Sequence, residues 1–587
     1  MNLFKILSAL PAVFLFSSCM FFQETAATVA NYLPYTIVTA TETVSYSYDS
    51  SNPAFKVSPS VKTVNISGIP QGKSVYIAKV NPGNSTVSSS HTRCVYSSDG
   101  YSRSALSEFS SVNEMPQPET KIKYFNAPKI SLENDIPSQR SASFSTLPEK
   151  TVIDYQTGDT KQIYVDTGIN SQGNIGLYQK KQATLRAKGT YCYVWVVNSY
   201  YTEGAAGGSQ VNSAMAEKFR NSFDSFYEIV RNIFGEESDN IIYSYSNSNL
   251  TLKQASSQYP MSSYSDTGTK VNIVLYDIGN DYENETKCGV AGYFYEKDYY
   301  SQTDYTSSDV RFSNQGKYFY IDTVYANSDP DGTLSTLVHE FQHMINFGVK
   351  EIDKDLDPDQ SYNEMLSMLC EDMMSEHLGL TDSNNVKAER IPMFNIYYFT
   401  SGIREYLESN SVLSYATSYA FGSWLCRQYG GAALVSEIMS NPYVDNESLV
   451  NAVNTLNSTS YTFDELFRQF LLACTKNLTC THNKTVTYTK TDGTTYTYPM
   501  TAIDLWSDAY SYPKTGLSFI ENQQEGGYEQ NKETYNGPFL FSNNTFVTLR
   551  PKYGMTLHKL GTTTSNSLSL TFSSTGADCI TMYVIIQ

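Results

Sequence analysis

The residues best suited to chemistry are His339-Glu340-Phe341-Gln342-His343. On a helix, residues four apart lie on one face, a single turn from each other. Two imidazoles so placed can grip one Zn²⁺, and the glutamate after the first can take a proton from a water at that metal. The chain holds only six histidines, so the pattern is not a by-product of histidine abundance. Zinc needs a third protein ligand, with the fourth position left for water. Glu364 is the best candidate. It opens the segment Tyr362-Asn363-Glu364-Met365-Leu366-Ser367-Met368-Leu369, which is apolar on most sides, and a carboxylate buried there is costly unless paired or bound to metal. Glu371 lies on nearly the same helical face, about 10.5 Å further along. It is the alternative ligand, or a group that orients a histidine, and Asp372 is a further orienting candidate. Tyr415 and Tyr419 are candidates for the donor that steadies an oxyanion, weighed against plain packing in a chain with 48 tyrosines. His91, His377, His482 and His558 have no ligand-like spacing.

The elements that must position these groups follow from periodicity. Leu334, Leu337, Val338, Phe341, Met344 and Ile345 form an apolar stripe on the motif helix, with Asp331 or Thr333 as its N-cap. His339, Glu340 and His343 fall on the opposite side, so the stripe packs inward and the chemical face looks into a cleft. The strand Tyr318–Asp322 precedes this helix and is the expected edge strand for an extended substrate. Other strands are expected at Tyr191–Val197 and Val271–Tyr276, with a helix from Met215 to Ile233 capped by Gly235. Residues 332–478 read as mostly helical. Residues 20–145 and those after about 485 read as β and loop, with a polar linker at Pro128–Lys150. The fold class is therefore α+β. Its expected domains are a signal segment (1–18), an N-terminal β-rich accessory region (19–145), a zincin-like catalytic domain of mixed sheet followed by helices (146–480), and a C-terminal β-rich domain (481–587); residues 20–145 could serve as a propeptide.

The motif and its surroundings resemble the gluzincin group of zinc metallopeptidases, and more closely the hyicolysin-like family. The resemblance covers roughly residues 150–480. It rests on His339 through Asn346, Asn363-Glu364 with Ser367, the run Tyr419 through Leu425, and the helix around Phe463-Asp464-Glu465-Leu466-Phe467. It implies a zincin-like catalytic domain, zinc on His339, His343 and Glu364, and Glu340 as the base. Thermolysin-like members carry an aspartate four residues after the ligand glutamate, where this chain has Met368. Orientation of the histidine then falls to Glu371 or Asp372. The metzincin extension is absent, since Val349 stands six residues after His343.

Composition limits the alternatives. A net charge of −18 argues against nucleic acid, whose phosphates need a basic surface. Tyrosine with Ser and Thr suggests strands with one exposed face. Lys5 and the apolar run Ile6–Phe16 read as a secretory signal, too short to span a bilayer. The run ends in Leu15-Phe16-Ser17-Ser18-Cys19. That resembles a bacterial lipobox with an unusual Phe16, and it makes Cys19 the expected lipidation site and membrane anchor. Eight other cysteines follow at irregular spacing without a CxxC, and Cys474 with Cys480 is the nearest pair. The reading is a zinc endopeptidase acting on protein or peptide, either secreted or lipid-anchored at the bacterial envelope. The competing readings are a non-catalytic surface-binding lipoprotein on the same scaffold and a hydrolase of non-peptide amides. An intact Glu340 favours catalysis, because a metal-binding relic has no need of that base.

Overall fold

The computed structural model describes residues 33–587 apart from 104–146, 169–176, 244–250, 281, 283–289, 303–308, 381–384, 409, 476–483, 490–492, 514–533 and 542–545. Its architecture is mixed α and β, as expected. A six-stranded sheet lies at the centre. Its strands are β1 (Thr160–Asp166), β2 (Tyr178–Lys188), β3 (Cys192–Val197), β4 (Val271–Tyr276), β5 (Gly292–Phe294) and β6 (Lys317–Asp322), in the spatial order β5-β6-β4-β3-β2-β1. β3, β4 and β6 run parallel, while β5, β2 and β1 are antiparallel to their neighbours.

Both faces of this sheet are buried, which is why β4 and β6 read as nearly continuous apolar runs. Ile273, Leu275, Phe319 and Ile321 face the helices, and Val274, Tyr276, Tyr318 and Tyr320 face the other side. The tyrosine-rich face is enclosed, contrary to the expectation from composition. The hydroxyls find partners inside: Tyr276 bonds Tyr293 at 2.9 Å, and Tyr320 donates to Asp298 Oδ2 at 2.7 Å. A second correction concerns the edge. Tyr318–Asp322 is an interior strand, and the short antiparallel β5 covers it.

Four helices build the site's frame: α1 (Ser213–Phe234), α2 (Gly332–Asn346), α3 (Gln360–Met374) and α4 (Ser411–Tyr429). α1 buries Phe219, Phe223, Phe226, Val230 and Ile233 and ends at Gly235. The apolar stripe of α2 packs against it, with the Phe341 ring 4.9 Å from that of Phe223 and stacked on Tyr227 at 5.3 Å. Asp331 sits at the N-cap of α2 but makes no side-chain cap. Asp329 Oδ1 accepts from Gly332 N instead, at 2.9 Å. A π-helical turn, Phe347–Ile352, follows α2 directly and buries Lys350, whose Nζ donates to the carbonyls of Ile438, Asn441 and Tyr443. α4 lies close against α3 because Gly422 has no side chain there: a Cβ on it would stand 2.4 Å from Met365 Cγ.

The two terminal β regions, expected as separate domains, share sheets. Ala54–Val57, Ser74–Asn81 and Tyr101–Arg103 share one five-stranded sheet with Thr581–Ile586 and Gly554–Thr563. Glu42–Ser47, Val61–Ser67 and Val95–Asp99 share a four-stranded sheet with Ser567–Phe572. The two sheets enclose a common apolar core. Alternation marks each strand in the sequence but not its partner hundreds of residues away. Ser74–Asn81 lies between two C-terminal strands, so the N-terminal strands complete the same sheet as the C-terminal ones. The sandwich also joins the helical core. Leu557 N donates to the Tyr398 hydroxyl at 3.0 Å, Tyr398 donates to Phe539 O at 2.7 Å, and Arg550 pairs with Glu405. The expected signal segment, Cys19, Cys288, Cys480 and His482 lie outside the described residues, and with them any pairing of Cys474 with Cys480. Among the described residues no helix is long and apolar enough to cross a membrane.

Candidate metal centre

α2 and α3 pack face to face and bring His339, His343 and Glu364 together. One donor atom from each lies within 4.8 Å of the others. Glu364 Oε2 is 3.0 Å from His339 Nε2 and 3.5 Å from His343 Nε2. Ligands at about 2.0–2.2 Å from a tetrahedral zinc are separated by about 3.3 Å, so these spacings fit one such ion. The chemistry of the donors fits as well. His339 Nδ1 lies 2.7 Å from Glu371 Oε1 and Nε2 lies 3.0 Å from Glu364 Oε2; each carboxylate only accepts, so without a metal both ring nitrogens carry hydrogen, and a cation at Nε2 would take the place of that proton. Burial pushes the His339 imidazolium down, but the Glu364 and Glu371 carboxylates outweigh it and hold its pKa well above the ordinary value. Burial pushes Glu364 up, yet the two histidines outweigh that and hold it well below the carboxylate range. The pocket is built to balance positive charge.

Glu340 lies beside this cluster. Its Oε2 accepts from the backbone N–H of Phe294 on the edge strand β5, at 2.7 Å. Burial raises its pKa above the usual carboxyl value. The close approach of β5 to α2 depends on Gly292, where a Cβ would stand 2.7 Å from Thr336 Cγ2 and 2.8 Å from Tyr320 O. His339 is 9% exposed and Glu340 6%, so the polar face of α2 is largely enclosed by α3 rather than open along its length.

The remaining candidates separate. Glu371 is engaged with His339, and its second oxygen accepts from Ser335 Oγ at 2.5 Å. Asp372 points elsewhere: it pairs with Arg427 at 2.7 Å and accepts from the Tyr419 hydroxyl at 2.9 Å. Neighbours on a helix project about 100° apart, so Glu371 and Asp372 do not serve the same histidine. Tyr419 is fully buried and its hydroxyl is committed to Asp372, away from the metal cluster. Tyr415 stays nearby, its ring 6.3 Å from that of His339. His91, His377 and His558 bond Tyr35, Ser225 and Thr556 respectively.

Sequence reasoning missed Ser335 as a partner of Glu371. It also missed Gln360, whose Nε2 donates to Glu364 Oε1 at 2.7 Å, and the Phe294 N–H. Ser335 stands four residues before His339 and Gln360 four before Glu364, so the one-turn periodicity that revealed the motif would have revealed both. A backbone donor leaves no such trace.

The family model described as Peptidase M30 matches residues 179–518, more than half of the chain. The chain therefore belongs to the Peptidase M30 family, which bears out the resemblance read from its sequence. A neutral metalloprotease, ShpI, of Staphylococcus hyicus is 28% identical over 320 residues, a match that covers 53% of this chain and 62% of that protein. The chain thus spans less than two thirds of the length of the curated relative it matches.

Proposed function

We propose that this protein is a zinc-dependent endopeptidase with a zincin-like catalytic unit, exported from the cell and held at the envelope through a lipid on Cys19 or released. The observation that carries the reading is the convergence of His339, His343 and Glu364 beside Glu340, in a chain of a peptidase family. His339 and His343 would hold Zn²⁺ through Nε2, and Glu364 through Oε2. When bound, Zn²⁺ supplies a Lewis acid that acidifies a water and polarises a substrate carbonyl. The Phe294 N–H holds one oxygen of Glu340, so Oε1 is the atom left to accept the proton of the attacking water. Glu340 then returns that proton to the leaving amine. Its raised pKa suits this double role near neutrality, where a base must also act as an acid. Of the two tyrosine candidates, Tyr419 has its hydroxyl committed to Asp372, so we assign the oxyanion role to Tyr415, whose ring lies 6.3 Å from that of His339.

The test is cleavage of an unstructured protein such as casein by the wild type, by the wild type with chelator, and by Glu340→Gln. The proposal expects cleavage by the untreated wild type only, with zinc retained in Glu340→Gln. Zinc bound without cleavage of any peptide would favour the non-catalytic binding role, and undiminished cleavage by Glu340→Gln would refute the mechanism.

A further inference from the structure

Gln360, Glu364, Ser367 and Glu371 follow one another at steps of four, three and four residues, which places them on one face of α3. Beside this stripe Met365, Leu366, Met368, Leu369 and Met373 are each under 3% exposed, and the charge that points elsewhere, Asp372, is paired with Arg427. Every member of this polar stripe touches the metal cluster. Gln360 Nε2 occupies Glu364 Oε1 at 2.7 Å, so only Oε2 turns toward the histidines. Ser367 Oγ lies beside the His343 ring, 3.1 Å from Nδ1, and donates to Gln342 Oε1 at 2.5 Å. Glu371 takes the Nδ1–H of His339 with one oxygen and the Ser335 hydroxyl with the other, so its carboxylate is fixed at both ends.

We propose that Gln360 and Glu371 are positioning residues of the metal centre: Gln360 restricts Glu364 to a single ligating oxygen, and Glu371 fixes His339 with Nε2 toward the metal. This rests on the metal site proposed above. The carboxylate that orients the histidine thus stands seven residues after the ligand glutamate, on the same helix, two turns along. A single helix delivers the third ligand and also holds the geometry of the other two. Such outer partners typically govern metal affinity by 10–100-fold.

The test is zinc affinity by chelator competition, together with the absorption spectrum of the cobalt-substituted protein, for wild type, Glu371→Gln, Glu371→Ala and Gln360→Leu. Gln360 is the first, half-buried residue of its helix, so Gln360→Leu removes no core packing. Glu371→Ala should weaken zinc binding about 10–100-fold, and Glu371→Gln, which keeps an acceptor oxygen, by less. Gln360→Leu should lower the intensity of the cobalt bands, as Glu364 becomes free to bind through both oxygens and coordination expands. Wild-type affinity and an unchanged cobalt spectrum in all three variants would overturn the proposal while leaving the metal site standing. A wild type that takes up no zinc would instead overturn the metal site itself.

Discussion

The buried pair Asp372–Arg427 offers a sharp separation of stability from metal binding. Asp372 was a candidate for orienting a histidine, yet its carboxylate receives Arg427 at 2.7 and 2.9 Å and Tyr419 at 2.9 Å. The side chains are 2% and 0% exposed. Asp372→Asn would leave a guanidinium in the interior without its counter-charge. Breaking such a pair from one side costs about 3–5 kcal/mol, a large share of the 5–15 kcal/mol typical of a folded protein. Replacing both partners, as in Asp372→Leu with Arg427→Met, removes the charges together and should recover most of that loss. Urea unfolding followed by circular dichroism measures the stability, and chelator competition measures zinc affinity. The expectation is a lowered unfolding midpoint for Asp372→Asn, recovery in the double variant, and zinc affinity within about twofold of wild type in whichever variant remains folded. A single variant of wild-type stability whose zinc affinity has fallen tenfold would show that Asp372 serves the metal after all.

Three further outcomes follow. Burial raises Asp166 from 3.8 to about 6, so the folded state holds this proton more tightly than the unfolded chain. Its contribution to stability is present below about pH 3.8 and lost as pH rises through 6. Asp166→Asn should therefore gain up to about 3 kcal/mol over wild type between pH 4 and 7.5 in urea unfolding, and a gap that does not grow with pH would refute this. Phe294→Pro deletes the backbone donor to Glu340 at a sheet edge, where proline is tolerated; peptidase kcat should fall at least about tenfold with zinc content unchanged, whereas wild-type kcat would show that the hydrogen bond is idle. Gly422→Val places a branched side chain against Met365 and should cost about 1–3 kcal/mol by overpacking, visible as a lowered melting temperature; an unchanged one would mean that α3 and α4 can separate freely.

The site was more legible than the fold around it. His339, Glu340 and His343 are set by one helical turn, and Glu364 stands out as a charge in an apolar stretch, so local spacing and burial cost suffice to nominate them, and α2 and α3 bring His339, His343 and Glu364 together. Glu371 and Asp372 were indistinguishable without knowing which way α3 faces. Packing against α2 decides for Glu371, and packing against α4, with Arg427 waiting there, decides for Asp372. The tyrosines misled because alternation of Tyr with apolar residues looks the same whether the second face meets water or a covering layer with polar partners. The terminal β regions were read as strands correctly, but pairing between residues 37–103 and 554–586 leaves no mark within either segment. The edge strand was missed because β5 is three residues long, below the length at which periodicity can be seen.

The central claim is that two imidazoles and the carboxylate of Glu364 hold one divalent ion. Zinc measured by elemental analysis after dialysis against metal-free buffer tests it directly, on wild type and Glu364→Ala side by side. The account predicts about one zinc per wild-type chain and little or none in Glu364→Ala. A wild type without zinc, or a Glu364→Ala variant that keeps its full share, would contradict it.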